Sequence, residues 1–132
     1  MNNKNYLSWL VPIDLAKELK KIGFDKECVF AFDAIFNELA FDDENASLMN
    51  WNDKKHRKFV SLPTWEQAFE WFREKGFITS IDYYNSTKPE YFPIIKNRKG
   101  EVLFCCYDIK TYEQARKELL NKLIDKFYDD NI

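Results

Sequence analysis

Apolar positions along this chain recur with two different periods. In Ile13-Asp-Leu-Ala-Lys-Glu-Leu-Lys-Lys-Ile22, residues Leu15, Ala16, Leu19 and Ile22 share one stripe and Lys17, Glu18, Lys20 and Lys21 the other, which predicts a short amphipathic helix. Pro12 suits its start, and Gly23 followed by Phe24 suits a left-handed stop with a hydrophobic contact back onto the last turn. The helical period returns in Trp65, Ala68, Phe69 and Phe72, widened by Trp71 and ended by Gly76. It returns again in Ala115, Leu119, Leu120, Leu123, Ile124 and Phe127, for a long helix reaching about Tyr128. Both later helices open on a capping-box form, Thr64-Trp-Glu-Gln67 and Thr111-Tyr-Glu-Gln114, in which the Thr hydroxyl serves the N3 amide and the Gln side chain serves the cap amide. The likeness of the two starts fades after Ala115, so it reflects a shared way of starting a helix rather than a duplication.

Between the helices the pattern shortens to strand length. Cys28 to Phe32 is aromatic and free of breakers. Asp33-Ala-Ile-Phe-Asn-Glu-Leu-Ala40 is open between a short Asp33-capped helix and a hairpin turning at Phe36-Asn-Glu38, and the hairpin is favoured. Asp42 to Ser61 reads as polar connection. Phe77–Tyr84, Tyr91–Lys96 and Glu101–Asp108 read as three strands, joined by a loop of turn formers from Asn85 to Glu90 and by the hairpin turn Asn97-Arg-Lys-Gly100. Pro93 marks the second of these as an edge or a bulge, and the unbroken run Val102–Tyr107 marks the third as interior to the sheet. The expected fold class is α+β: one domain over residues 1–132, with a helix, a hairpin and a polar loop in 1–62. Residues 63–132 supply an α-β-β-β-α unit whose antiparallel meander packs against the helices at Thr64 and Thr111.

Composition narrows the functional classes. The 132 residues carry 20 Lys and Arg against 22 Asp and Glu, a net charge of −2, so bulk charge does not make the chain a polyanion binder. Two local clusters depart from this balance, Lys54-Lys55-His56-Arg57-Lys58 and the smaller Lys96-Asn97-Arg98-Lys99, and both also suit solvated turns or hairpin tips. No apolar run reaches membrane-span length and Met1-Asn-Asn-Lys-Asn5 lacks the core of a signal peptide, so the expected location is the cytoplasm, with no membrane partner. Aromatics make up 17% of the chain, enough for a tight core.

Catalytic and metal chemistries find little to work with. The 3 glycines all serve turns or caps, leaving no phosphate-cradling loop. Cys28, Cys105 and Cys106 read as buried small hydrophobes in a reducing compartment, since adjacent strand residues face opposite ways and cannot join one site. Zinc spacing is missing, and His56 is the single imidazole, set among cations that disfavour its charged form; a His56 pair with Cys28 or Cys106 is the only nucleophile arrangement left. Asp42, Asp43 and Glu44 with Asp53 are the acids that could hold a hard cation, and Glu66, Glu70 and Glu74 form a helix stripe of the solvated kind. Tyr83, Tyr84, Tyr91 and Phe92 bracket one loop and could stack a base or line an interface. No catalytic residue, cofactor or metal is assigned.

Two resemblances follow from these residues. The α-β-β-β-α order from Pro63 resembles the double-stranded RNA-binding domain in topology alone. That family's lysine-rich start of the second helix is matched here by Thr111-Tyr-Glu-Gln-Ala-Arg-Lys117, with Glu113 inside it. The helix ending Lys-Lys-Ile22-Gly-Phe-Asp-Lys-Glu-Cys28, the stretch Leu62-Pro-Thr-Trp-Glu-Gln-Ala-Phe-Glu-Trp-Phe-Arg-Glu-Lys75 and the Thr111–Ala115 helix start are similar in wording to small proteins of gut bacteria and their prophages. This resemblance implies an accessory protein of a mobile element or its host, and carries no site residue with it. The expected function is a non-enzymatic protein-interaction module, with a protein partner or self-association. The alternative is nucleic-acid binding through Lys54, Lys55, Arg57, Lys58, Arg98 and Lys99.

Overall fold

The computed structural model describes residues 7–40, 48–85 and 87–130, apart from the side chains of His56 and Asn85. The chain divides into two compact units, residues 1–68 and 69–132. Along it run α1 (Ile13–Lys21), β1 (Phe30–Asp33), β2 (Glu38–Ala40), β3 (Phe59–Leu62), α2 (Trp65–Glu74), β4 (Ile78–Asn85), β5 (Pro89–Lys96), β6 (Val102–Cys105) and α3 (Tyr112–Asp130). The fold is α+β, with two three-stranded antiparallel sheets ordered β2-β1-β3 and β4-β5-β6. Among the described residues no helix is long and apolar enough to cross a membrane.

In the first unit, α1 buries Leu15, Ala16 and Leu19 and packs against β3. It ends as its sequence predicts. Gly23 takes φ +97°, its amide bonds the Lys20 carbonyl at 3.2 Å, and the Phe24 amide bonds the Leu19 carbonyl at 3.0 Å, a double closure that seats Phe24 in the core. Asp33–Ala40 is the hairpin rather than the helix. Ala31 pairs with Ala40 and Asp33 with Glu38, and the Asp33 carboxylate accepts from the Ile35 and Phe36 amides at 2.9 and 3.1 Å, an Asx turn that the alternative reading would have used as a helix cap.

The stretch read as polar connection in fact contains β3, which pairs with β1 from Phe30↔Leu62 to Asp33↔Phe59. Its approach is fixed by side chains of polar appearance. Trp51 donates to the Cys28 carbonyl at 2.8 Å, and Asn52 donates to the Phe24 carbonyl while accepting from the Ser61 amide, both at 2.9 Å. Cys28 and Met49 exchange backbone bonds at 2.8 and 3.2 Å. Buried backbone needs partners, and here those partners are scattered along a segment with no hydrophobic rhythm.

The α2 start forms the reciprocal box: the Thr64 hydroxyl accepts from the Gln67 amide at 3.1 Å and the Gln67 carbonyl oxygen accepts from the Thr64 amide at 2.9 Å. In the second unit the meander forms in the predicted order. β4 and β5 pair from Ile78↔Lys96 out to Asn85↔Pro89, a longer ladder and a tighter loop than the turn-forming residues suggested. Helix α3 lies along β5 and β4, burying Ala115, Leu119, Leu120, Leu123 and Ile124, and the end of α2 meets it where Trp71 and Phe72 pack on Phe127 at 5.0 and 6.2 Å between ring centroids.

Two strand placements reverse the expectation. β5, with Pro93, is the central strand and its irregularity falls between Ile95 and Lys96 rather than at the proline, and the apolar run Val102–Tyr107 supplies only the edge strand β6, with Val102 58% and Tyr107 68% exposed. Proline is tolerated in the centre because of where its missing donor falls. The Pro93 carbonyl accepts from the Cys106 amide at 3.3 Å, and in an antiparallel ladder a residue's N–H and C=O face the same neighbour, so the ring nitrogen faces the point where β6 has just ended.

Candidate functional site

The residues with candidate chemistry are dispersed. Lys54, Lys55 and Arg57 are exposed around a 3₁₀ turn, Lys54–His56, whose cap Asp53 accepts from the Lys55 amide at 3.1 Å. Lys58 is already engaged: its Nζ stands 3.7 Å from the Asp33 carboxylate and lies over the Phe59 and Phe36 rings at 4.9 and 5.9 Å. Arg98 and Lys99 belong to the other unit, where the Arg98 guanidinium donates to the Glu74 carbonyl at 3.0 Å and the Lys99 amide donates to the Asn97 side chain at 3.0 Å. Two of the six proposed phosphate contacts thus already have structural partners for their charged groups, Lys58 and Arg98. Asp42, Asp43 and Glu44 lie outside the described residues, as does the His56 side chain and with it any pairing to Cys28 or Cys106. Among the described residues no three His, Cys, Asp or Glu side chains converge as a metal site.

The cysteines do not form the uniform buried set that was expected. Cys28 is fully buried, and burial pushes its thiol up to about 12, with the Ser61 hydroxyl acting the other way. Cys105 and Cys106 are only half-buried, because Cys105 ends the edge strand β6 and Cys106 lies just beyond it. Cys106 lines an open depression of about 400 Å³ with Asp108, Ile109, Lys110, Gln114 and Glu118. Its thiol donates to the Tyr107 carbonyl at 3.6 Å. The neighbouring Cys105 thiol makes the Tyr107 hydroxyl harder to ionise.

The four loop-bracketing aromatics split between the two sheet faces, as strand alternation requires. Tyr83 meets Tyr91 at 5.0 Å and Tyr91 meets Tyr112 of α3 at 6.2 Å, on the helix-covered face with buried Ile95. Tyr84 and Phe92 belong to the opposite face, where Phe92 packs on Tyr107 at 5.6 Å. That opposite face carries Ile78, Tyr84, Phe92, Ile94, Val102 and Tyr107, and Ile78, Tyr84, Val102 and Tyr107 are all exposed.

Next to this apolar face lies a strand edge that holds neither proline nor lysine and carries a single charge, Asp82. On the sheet of the first unit, β2 has only 3 residues, and the outer side of β3 is closed by side chains. The Lys58 carbonyl takes the Ala34 amide on the β1 side, so alternation turns Phe59 and Ser61 outward. Lys20 fills the Phe59 carbonyl at 2.7 Å and Asn52 takes the Ser61 amide. On the second sheet β6 has 4 residues and β4 has 8. The sequence of β4, Ile-Thr-Ser-Ile-Asp-Tyr-Tyr-Asn, holds neither proline nor lysine, the usual guards of an edge.

Which β4 groups are free follows from the bonds of β5. The Tyr91 amide bonds the Ile109 carbonyl at 2.7 Å and the Pro93 carbonyl bonds the Cys106 amide, so the odd residues of β5 face away from β4 and the even ones face it. Through the register Asp82↔Phe92 and Ser80↔Ile94, the even residues of β4 answer them. The N–H and C=O of Thr79, Ile81 and Tyr83 therefore point outward, with no backbone partner among the described residues. Sequence reasoning singled out Tyr83 only as a loop-bracketing aromatic, and neither Thr79 nor Ile81, because strand order, which pattern alone leaves open, decides which strand is the edge.

Compared with known proteins, the chain matches no family model, no curated protein and no solved structure.

Proposed function

We propose that this chain is a non-enzymatic protein-interaction module that takes an extended polypeptide segment onto β4. The observation that carries the reading is the row of outward N–H and C=O groups at Thr79, Ile81 and Tyr83 on an 8-residue strand that lacks proline and lysine. Backbone pairing would supply affinity, and the apolar face beside it, Ile78 and Tyr84 first, would select alternate side chains of the incoming segment.

The test is amide NMR on the whole chain titrated with a lysine-flanked peptide of alternating Val and Thr. Shifts and slowed exchange at Thr79, Ile81 and Tyr83 are the expected result. Shifts confined to Lys54–Lys58, or none up to roughly millimolar peptide, the weak end of measurable binding, with the chain dilute enough to be monomeric, would overturn the reading.

A further inference from the structure

We infer that the segment β4 takes is β4 of a second copy of this chain, joined antiparallel about a twofold axis at Ile81; the inference rests on the strand-addition reading above. The reason is that β4 is complementary to itself in one register. A twofold axis perpendicular to the sheet keeps each side chain on its own face, so each residue must meet one of equal parity, and the outward groups at Thr79, Ile81 and Tyr83 restrict the choice further. With Ile81 opposite Ile81 of the second copy, Thr79 meets Tyr83 and all three outward N–H and C=O pairs on each chain are used.

The even positions then decide between this register and its neighbours. Ser80 falls opposite Asp82, a hydroxyl donor beside a carboxylate acceptor, twice across the axis. Ile78 falls opposite Tyr84, also twice, which joins the exposed apolar faces of the two copies into one surface on the same side of a six-stranded sheet. These are the non-hydrogen-bonded positions, where facing side chains approach most closely. Moving the axis to Asp82 would set two carboxylates against each other at such a position. Moving it to Ser80 would bring Tyr83 opposite Phe77, beyond the strand. The other sheet edges of the described structure are 3 or 4 residues long, and that of β3 is closed by Lys20 and Asn52, so β4 is where a second copy finds a full row of partners.

Sedimentation equilibrium of the whole chain tests this, with Ser80 as the lever because it is exposed and outside the core. The parent should show a reversible monomer–dimer equilibrium. S80D places a carboxylate opposite Asp82 at two symmetric positions and should weaken the dimer roughly tenfold, S80K should strengthen it, and S80D with D82S, which exchanges the two roles, should restore the parent behaviour. Circular dichroism and urea midpoints confirm that each variant folds. A chain that stays monomeric up to roughly millimolar concentration, or a dimer that S80D and S80K move in the same direction or not at all, would overturn the self-pairing. If the Val/Thr peptide still shifts Thr79, Ile81 and Tyr83 in that case, self-pairing alone has failed; if those amides ignore the peptide, strand addition has failed with it.

Discussion

The Arg98 guanidinium lies across Gly76: its Nε stands 3.4 Å from the place a β-carbon there would take, and its Nη2 donates to the Glu74 carbonyl at 3.0 Å. Gly76 itself has φ +100°, its amide bonds the Arg73 carbonyl at 3.1 Å, and the Phe77 amide bonds Phe72 at 3.0 Å. An arginine that reads as a phosphate contact in sequence thus closes the end of α2 by taking a carbonyl the helix leaves open. Since 3.4 Å is ordinary contact, Gly76→Ala should be limited by its backbone conformation and cost about 1–2 kcal/mol. Gly23→Ala, at φ +97° with open space around it, should cost about the same by urea midpoint. A much larger loss at Gly76 would mean that Arg98 cannot yield.

Phe72 is fully buried among three rings, with Trp71, Phe77 and Phe127 at 5.1, 6.3 and 6.2 Å. Phe72→Ala should therefore destabilise the chain by about 3–5 kcal/mol through lost burial and the cavity left behind. Chemical denaturation followed by tryptophan fluorescence measures it, and an unchanged midpoint would place this aromatic cluster outside the cooperative core.

The three thiols should separate by reactivity. Cys28, buried and pushed up to about 12, has almost no thiolate near neutral pH, whereas Cys105 and Cys106 are half-exposed on or just beyond the edge strand. An aromatic disulfide reagent should titrate two thiols in the folded chain and the third only in denaturant. Three fast thiols would show that the bridge between Cys28 and Met49 opens readily.

Asp33 should link hairpin stability to acid. Burial alone would raise its carboxyl, but the Phe36 and Ile35 amides and the Lys58 ammonium outweigh this and hold it below the ordinary value. A carboxylate lowered by folding stabilises the fold above its unfolded value, ~3.9, and that contribution is lost as pH falls through the lower folded value. Asp33→Asn should thus be less stable than the parent near neutral pH, with the difference closing in the acid range. Urea midpoints at about pH 7 and about pH 2.5, above and below the unfolded carboxylate range, check it; a constant difference would mean the charge contributes nothing.

Helix limits were legible in the sequence because each rests on local chemistry: Gly23 and Gly76 at the stops, Thr64 with Gln67 and Thr111 with Gln114 at the starts. The three meander strands were legible for the same reason. β3 and the order within β4-β5-β6 were not. Val60, Ser61 and Leu62 are buried on β3, but their segment is held by Asn52 and Lys20, whose types suggest solvent, and by a Trp51 isolated from any apolar run. The run Val102–Tyr107 is apolar enough for a sheet interior yet occupies an edge, and Pro93 forbids one hydrogen bond rather than a central place. The candidate site inherits that difficulty, since Thr79, Ile81 and Tyr83 become a row of free groups only once β4 is known to be outermost.

The basic cluster should not bind nucleic acid in the manner its composition suggests. Tight polyanion binding needs several cations free to release counterions together, with affinity falling steeply as salt rises. Lys58 is held by Asp33 and two rings, Arg98 is held by Glu74 in the other unit, and the chain as a whole carries −2. That leaves Lys54, Lys55 and Arg57 around one turn, with Asp53 at its cap, and Lys99 alone in the other unit. Fluorescence anisotropy with labelled duplex RNA and single-stranded DNA should give no affinity tighter than roughly 10⁻⁵ M near physiological salt, the range of non-specific contact. Replacing Lys54, Lys55 and Arg57 by Gln should leave even that weak signal nearly unchanged. A submicromolar affinity that this triple variant abolishes, with a salt slope reduced in proportion, would instead make the Lys54–Lys58 turn the working surface of the protein and β4 an incidental edge.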